Sequence, residues 1–202
     1  MTGQLGPQDL PMLAKAGYYL ALRVGFAFPL EEINALPPAW VELYTAERLM
    51  LQDPVIRWVY TNTGAIRWSE ITDPDPGGVM RKAREFGLRY GVCVAVSDAG
   101  DEGQRSFGSF VRSDREFMDV EIALLSDYVA RTHRAKAPPT NLTAAEIEAL
   151  RMVKQGKRLK EIAYQLGVSE GAVKQRLKNA KLKLGAKTGA QAAALASQFG
   201  LI

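Results

Sequence analysis

From Asn141 onward, apolar residues recur with a helical period. Ile147, Leu150 and Val153 form one stripe, and Ile162, Ala163 and Leu166 form a second. Thr143 stands three residues before Glu146, the spacing of a capping box. Gly156 is placed to end the first helix, Gly167 to make a tight turn, and Ser169 to cap the helix that follows. That last helix carries Lys174, Arg176, Lys178, Lys181 and Lys183. Two short helices joined through a glycine, the second one basic, meet the requirements of a helix-turn-helix DNA reader. The plainer alternative is a small helical bundle with a solvated basic face.

Upstream, the same periodicity predicts a helix over 10–22, with Leu13, Ala16, Tyr19 and Leu20 inward. Pro37-Pro38 opens a second helix bearing Trp40, Leu43 and Tyr44, and Asp53-Pro54 a third, with Asp53 as its cap. A fourth runs over 79–86, and a long amphipathic one over 114–134. Valine-rich alternation over 90–96 predicts a strand, and 105–111 its partner across a turn at 97–103. Residues 1–135 therefore read as an α+β domain with an antiparallel sheet. Residues 136–141, with Pro138-Pro139, read as a linker, and 142–202 as an all-α helix-turn-helix domain.

Charge sharpens this division. From Lys136 to the end there are twelve Lys/Arg and four Asp/Glu, a net of +8, which leaves fourteen and eighteen, a net of −4, in the rest. A basic tail domain on an acidic body suits binding to a phosphate backbone. No run of about eighteen apolar residues indicates a membrane span. The N-terminus lacks the basic start and apolar core of a signal peptide, so a cytoplasmic protein is expected. Cys93 and His133 are the only residues of their types, which excludes an internal disulfide and the usual structural zinc sites. Cys93 reads as a small buried hydrophobe and His133 as a solvated residue. No Gly-rich phosphate loop or nucleophile elbow is present, so no catalytic set, metal or cofactor is expected. The phosphoacceptor pattern of a receiver domain is also missing.

Trp40, Tyr44 and Asp53 form the polar constellation of the first domain. Trp40 and Tyr44 share a helix face, and Trp68 adds a second large ring. Trp offers an N–H, Tyr an O–H, and an ionised Asp only acceptors. The set would satisfy a small molecule with two carbonyls and an N–H between them. Two readings stand at this point: a ligand pocket, or core aromatics beside a helix cap.

The ordered set Trp40-x3-Tyr44-x8-Asp53-Pro54, Trp68-Ser69, Phe86-Gly87-Leu88-Arg89-Tyr90-Gly91-Val92, Gly100-Asp101-Glu102-Gly103 with Ser106, then Glu146, Leu150 and Gly156, resembles the LuxR family of quorum-sensing transcription factors. The resemblance implies an N-terminal α/β/α sandwich that binds an N-acyl homoserine lactone and a C-terminal reader of double-stranded DNA. It implies that Trp40 bonds the lactone carbonyl, Tyr44 the acyl carbonyl and Asp53 the amide N–H. Trp68 would pack on the lactone ring, Gly91 would leave space beside the pocket, and Ser106 would lie near the acyl carbonyl. Helical spacing, rather than the resemblance, turns Lys174, Gln175 and Lys178 toward the major groove and sets Arg176 and Lys181 nearer phosphates. The recognition helix is also similar to that of alternative sigma factors, but the strands of the first domain do not fit that class.

The partners expected are DNA, the lactone, a second copy of the chain binding a palindromic site and, as a further candidate, RNA polymerase; no membrane is expected. The helix from Gly189 to Phe199, with Ala192, Leu195, Ala196 and Phe199 on one side, is read as a dimer contact, with packing on its own domain as the alternative. The long helix over 114–134 is the other dimer candidate. Other readings are an orphan regulator that needs no ligand and a protein that sequesters another regulator.

Overall fold

The computed structural model describes residues 4–25, 28–98 and 104–202; of the turn read at 97–103, residues 99–103 lie outside them and Ser97 ends a strand. The chain forms two compact units that divide between Lys136 and Ala137. The first contains α1 (Leu10–Leu13), β1 (Gly17–Val24), β2 (Pro29–Asn34), α2 (Pro38–Ala46) and α3 (Pro54–Thr61). These are followed by β3 (Gly64–Arg67), α4 (Val79–Glu85), β4 (Tyr90–Ser97), β5 (Arg105–Arg112) and α5 (Asp119–Ala135). The five strands form one antiparallel sheet in the order β2-β1-β5-β4-β3.

Strand parity sorts the side chains into two cores. Leu20, Leu22, Val92, Val94 and Phe110 meet α5 through Leu125, Tyr128 and Val129. The opposite face, with Ala21, Cys93, Ala95 and Phe107, meets α3 through Val55, Trp58 and Val59. Beside it, Trp40, Val79, Ala83 and Leu88 of the α2 and α4 region pack on Val111. The result is an α/β/α sandwich.

Residues 10–22 are not one helix. The helix stops at Leu13, and Gly17 opens a central strand that is covered on both faces, so its sequence is almost continuously apolar and mimics a helical stripe. Gly17 has φ +116°, and a Cβ there would lie 2.5 Å from the Ala35 carbonyl oxygen. The long helix begins at Asp119 rather than Asp114. The Glu121 carboxylate accepts the Met118 N–H at 2.8 Å and sets that start, while Asp114 is held by Arg112 at 2.7 Å.

His133 is not solvated; it is 5% exposed. Its Nδ1 lies 2.7 Å from Ser106 Oγ and its Nε2 3.0 Å from Asp98 Oδ1. Arg23, itself buried, donates to the His133 carbonyl at 2.9 Å and pairs with Asp98. Burial, then the Arg23 and Arg134 charges, lower the His133 pKa against the pull of Asp98. A folded-state pKa below the unfolded value of about 6.5 means that the unfolded chain binds more protons. The stabilisation is therefore present above that value and lost as pH falls below it through the folded pKa. Thermal melts of the parent should lose stability as pH falls below about 6.5, and His133→Gln should flatten that slope.

The second unit contains α6 (Ala144–Lys154), α7 (Leu159–Leu166), α8 (Glu170–Leu184) and α9 (Gly189–Gln198). The capping box forms: Thr143 Oγ1 accepts the Glu146 N–H at 3.3 Å, and the Glu146 carboxylate accepts the Thr143 N–H at 2.8 Å. Gly167, with φ +62°, makes the turn, and Ser169 Oγ caps α8 through the Ala172 N–H at 3.2 Å. Leu150, Ala180 and Leu184 form a core with Ala192, Ala193 and Ala196. The small-residue side of α9, at Ala192 and Ala196, thus packs inside its own domain, as the alternative reading of that helix expects. Burial favours protonation of Glu146, but Lys183, at 2.8 Å, together with the hydrogen bonds from Thr143 outweighs it and lowers the pKa. Lys183 is consequently a structural cation.

Candidate functional site

A cavity of about 270 Å3 lies between the sheet and the layer of α2, α3 and α4. Strand register builds its floor. One cross-strand row reads Asn34, Tyr19, Ser109, Cys93 and Ile66, and the next reads Glu32, Ala21, Phe107 and Ala95. The roof comes from Trp40, Val41 and Tyr44 of α2, then Met50 and Asp53, then Val55, Ile56 and Val59 of α3. Most of this lining is apolar, so each polar group in it orients a guest strongly.

Asp53 serves two purposes. Its Oδ1 accepts the Val55 N–H at 2.8 Å and caps α3, while its Oδ2 accepts the Tyr44 O–H at 2.7 Å. Both α3 and α2 begin with a proline at the first turn, which fixes where these side chains emerge. Asp53 is 8% exposed. Burial raises its pKa despite the bonds from Tyr44 and the backbone. Burial, followed by the Asp53 charge, also raises the Tyr44 pKa, so Tyr44 keeps its proton. The Trp40 ring lies 5.4 Å from Tyr44 and 5.7 Å from Phe86, centre to centre. The helix-cap and pocket readings of these residues are therefore compatible.

Trp68 lines the cavity and sits directly over Gly91. A Cβ at Gly91 would lie 2.2 Å from two Trp68 ring carbons, so glycine is what admits the indole. The Trp68 N–H faces the Cys93 sulfur, a weak acceptor, and finds no nitrogen or oxygen partner. Cys93 is fully buried, and burial pushes its thiol up to about 12, far from the range of a nucleophile.

Ser106 does not join the site. It faces α5, where its hydroxyl accepts the Arg23 N–H at 2.8 Å and contacts His133. The reason is parity: Phe107, Ser109 and Val111 face the cavity, and even-numbered positions of β5 face the other way. The hydroxyl in the cavity is that of Ser109. Alternation over 105–111 could have found it, had the partner layer of each face been known. Tyr19, Glu32 and Asn34 were missed because their strands were not recognised.

In the second unit, Lys174, Gln175 and Lys178 are exposed along α8, while Arg176 and Lys181 are half-buried at its flanks. Val173, Ala180 and Leu184 hold the opposite side of the helix in the core. Gln175 Nε2 donates to Asn179 Oδ1 at 2.9 Å, one turn on. The outward face is thus cationic and amide-bearing, suited to base edges and phosphates. Among the described residues, no helix is long and apolar enough to cross a membrane, and no group of three or more His, Cys, Asp or Glu is placed to hold a metal.

Comparison with known proteins agrees with both units. Residues 27–133 match the autoinducer binding domain, and residues 140–196 match the luxR family of bacterial regulatory proteins. The quorum sensing-dependent transcriptional regulator RpaR of Rhodopseudomonas palustris is 33% identical over 182 residues, covering 84% of this chain and 74% of RpaR. The transcriptional activator AhyR of Aeromonas hydrophila is 29% identical over 189 residues, covering 84% of this chain and 72% of AhyR. Solved SdiA in complex with octanoyl-rac-glycerol is 26% identical, with a TM-score of 0.53, over 96% of this chain and 87% of that one. These relatives are transcriptional regulators rather than enzymes. An autoinducer-binding sandwich followed by a helix-turn-helix DNA-binding domain places this chain in the LuxR family of bacterial transcription regulators.

Proposed function

We propose that the chain is a bacterial cytoplasmic quorum-sensing regulator that binds an N-acyl homoserine lactone and, as a dimer, a palindromic DNA site. The observation that carries the ligand reading is the Tyr44–Asp53 pair in an otherwise largely apolar cavity. A carboxylate has about four lone-pair sites, and the Tyr44 hydroxyl and the α3 backbone do not fill them all, so Asp53 retains capacity for a ligand N–H. The Tyr44 O–H, now donated to Asp53, turns to an acyl carbonyl when a ligand enters. Trp40 supplies an N–H for the lactone carbonyl, and Trp68 a flat wall for the ring. Ser109, rather than Ser106, takes the place of the second hydroxyl near the acyl carbonyl.

On DNA, Lys174, Gln175 and Lys178 read or approach bases, and Arg176 and Lys181 neutralise phosphates. Two copies are required because one helix-turn-helix reads only a half-site, and half-sites lie about one helical turn apart. The start of α5, with Met118 exposed at its cap and Val120 and Leu124 exposed on its first turns, is an apolar surface that supports a dimer. Fluorescence anisotropy on operator variants tests this reading. Gln175→Ala should change the ranking of operators. Lys181→Ala should weaken binding to all of them and reduce the salt slope by about one. If Gln175→Ala ranks every operator as the parent does, or if the DNA complex is monomeric by light scattering, the DNA reading is wrong.

A further inference from the structure

The cavity floor ends, toward the sheet edge, in a polar patch that the head-group residues do not use. Asn34 pairs directly with Tyr19, and Glu32 lies one row further along on the same face. Tyr19 and Glu32 line the cavity from neighbouring strands, and burial, followed by the Glu32 carboxylate, raises the Tyr19 pKa, so its hydroxyl keeps its proton. The rings of Tyr19 and Tyr60 pack against Phe107, with centroids 6.1 Å and 5.5 Å away. Glu32 and Asp53 are the two carboxylates lining the cavity among the described residues.

The patch lies at the far end from Trp68. Trp68 stands over Gly91, which pairs with Val111; the next cavity-facing row passes through Ser109 to Tyr19, and the row after that ends at Glu32 on β2. On the lactone reading above, a head group held by Trp40, Tyr44 and Asp53 sends its acyl chain toward Tyr19 and Glu32. There the Glu32 carboxylate stands in the cavity wall beside the Tyr19 hydroxyl, and a carboxylate offers acceptor oxygens. Glu32 therefore presents lone pairs at this end of the cavity. A methyl end would cover them without replacing the water it displaces. A second carboxylate would be repelled, whereas a hydroxyl would donate to them.

We propose that Tyr19 and Glu32 form a specificity site for an acyl ligand whose distal end carries a hydroxyl group. Tyr19, Tyr60 and Phe107 supply the ring surfaces against which the last methylenes pack, and Glu32 accepts the terminal proton.

The test uses the full chain and three probes, in hexanoyl and octanoyl lengths: plain acyl-homoserine lactone, the same lactone with a terminal hydroxyl, and the same with a terminal carboxylate. In the better-fitting length, the hydroxyl form should bind about tenfold tighter than the plain form, and the carboxylate form weakest. Glu32→Ala, an exposed edge-strand substitution, should bind the plain and hydroxyl forms equally well. Tyr19→Phe should shrink the preference in the same direction and serves if Glu32→Ala melts abnormally. A parent that prefers the plain chain in both lengths, or a Glu32→Ala protein that keeps the preference, overturns the tail assignment alone. If no probe binds the parent, the lactone reading and this inference fall together.

Discussion

Gly91→Ala is expected to abolish high-affinity ligand binding while leaving the DNA-binding domain folded. The added Cβ would fall 2.2 Å from ring carbons Cδ2 and Cε2 of Trp68, a separation that no rotamer change of alanine relieves. Gly91 is in the middle of the sheet, paired with Val111, so its backbone has little freedom to retreat. The indole must move instead, and it lines the cavity and packs against both cores on that face. Overpacking of this kind costs about 1–3 kcal/mol of stability. A displaced ring also occupies the volume assigned to the lactone head group, so affinity should fall more than tenfold. Calorimetric titration together with melting curves checks both effects. Unchanged affinity would mean that Trp68 is not the head-group wall.

Asp53→Asn has a different signature. Asparagine caps helices as well as aspartate does, so α3 should keep its start. The burial-raised pKa of Asp53 means that the folded state binds a proton more readily than the unfolded one. Its favourable contribution is therefore present below the unfolded value of about 3.9 and lost as pH rises through the folded pKa. At neutral pH the ionised side chain costs stability, and Asp53→Asn should melt at or above the parent without ligand. With ligand the order should reverse. The substitution exchanges an anionic acceptor for an amide that presents its own N–H to the ligand N–H. Hydrogen bonds to charged groups contribute roughly 1.5–3 kcal/mol, so affinity should fall at least tenfold. Tyr44→Phe removes one neutral bond and should cost less. An Asp53 variant that is less stable without ligand yet binds normally would identify Asp53 as a helix cap and nothing more.

Much of the molecule was legible in residues whose local chemistry decides their structure. Thr143 with Glu146, Gly167 and Ser169 dictate the helix-turn-helix through caps and a left-handed turn, and each behaves as its residue type requires. Trp40, Tyr44 and Asp53 could be grouped because helix spacing and a proline start place them near one another. Legibility failed where tertiary context decides. β1 is apolar on both faces because two helical layers cover it, so its pattern cannot be told from a helix by period alone. Without β1 and β2 the facing of Ser106 and Ser109 could not be assigned, nor could Tyr19 and Glu32 be seen to share a floor. His133 was misread because its partners Arg23, Ser106 and Asp98 are far away in sequence. Lys183 looked like a recognition-helix charge until Glu146 claimed it.

A largely apolar cavity of about 270 Å3 also weighs on the unliganded fold. At roughly 24 cal/mol per Å3, a fully dry cavity of that size would cost up to about 6 kcal/mol, which a fitting acyl chain would recover in part. A thermal-shift titration of the purified protein and Asp53→Asn with acyl-homoserine lactones of increasing chain length tests the ligand reading most directly. The parent's melting temperature should rise with concentration for at least one chain length, by the equivalent of about 2.7 kcal/mol at a hundred times its Kd. Asp53→Asn should need at least ten times more of that lactone for the same rise. A parent that melts sharply and unshifted with every lactone would contradict the receptor reading and leave a regulator that folds without one.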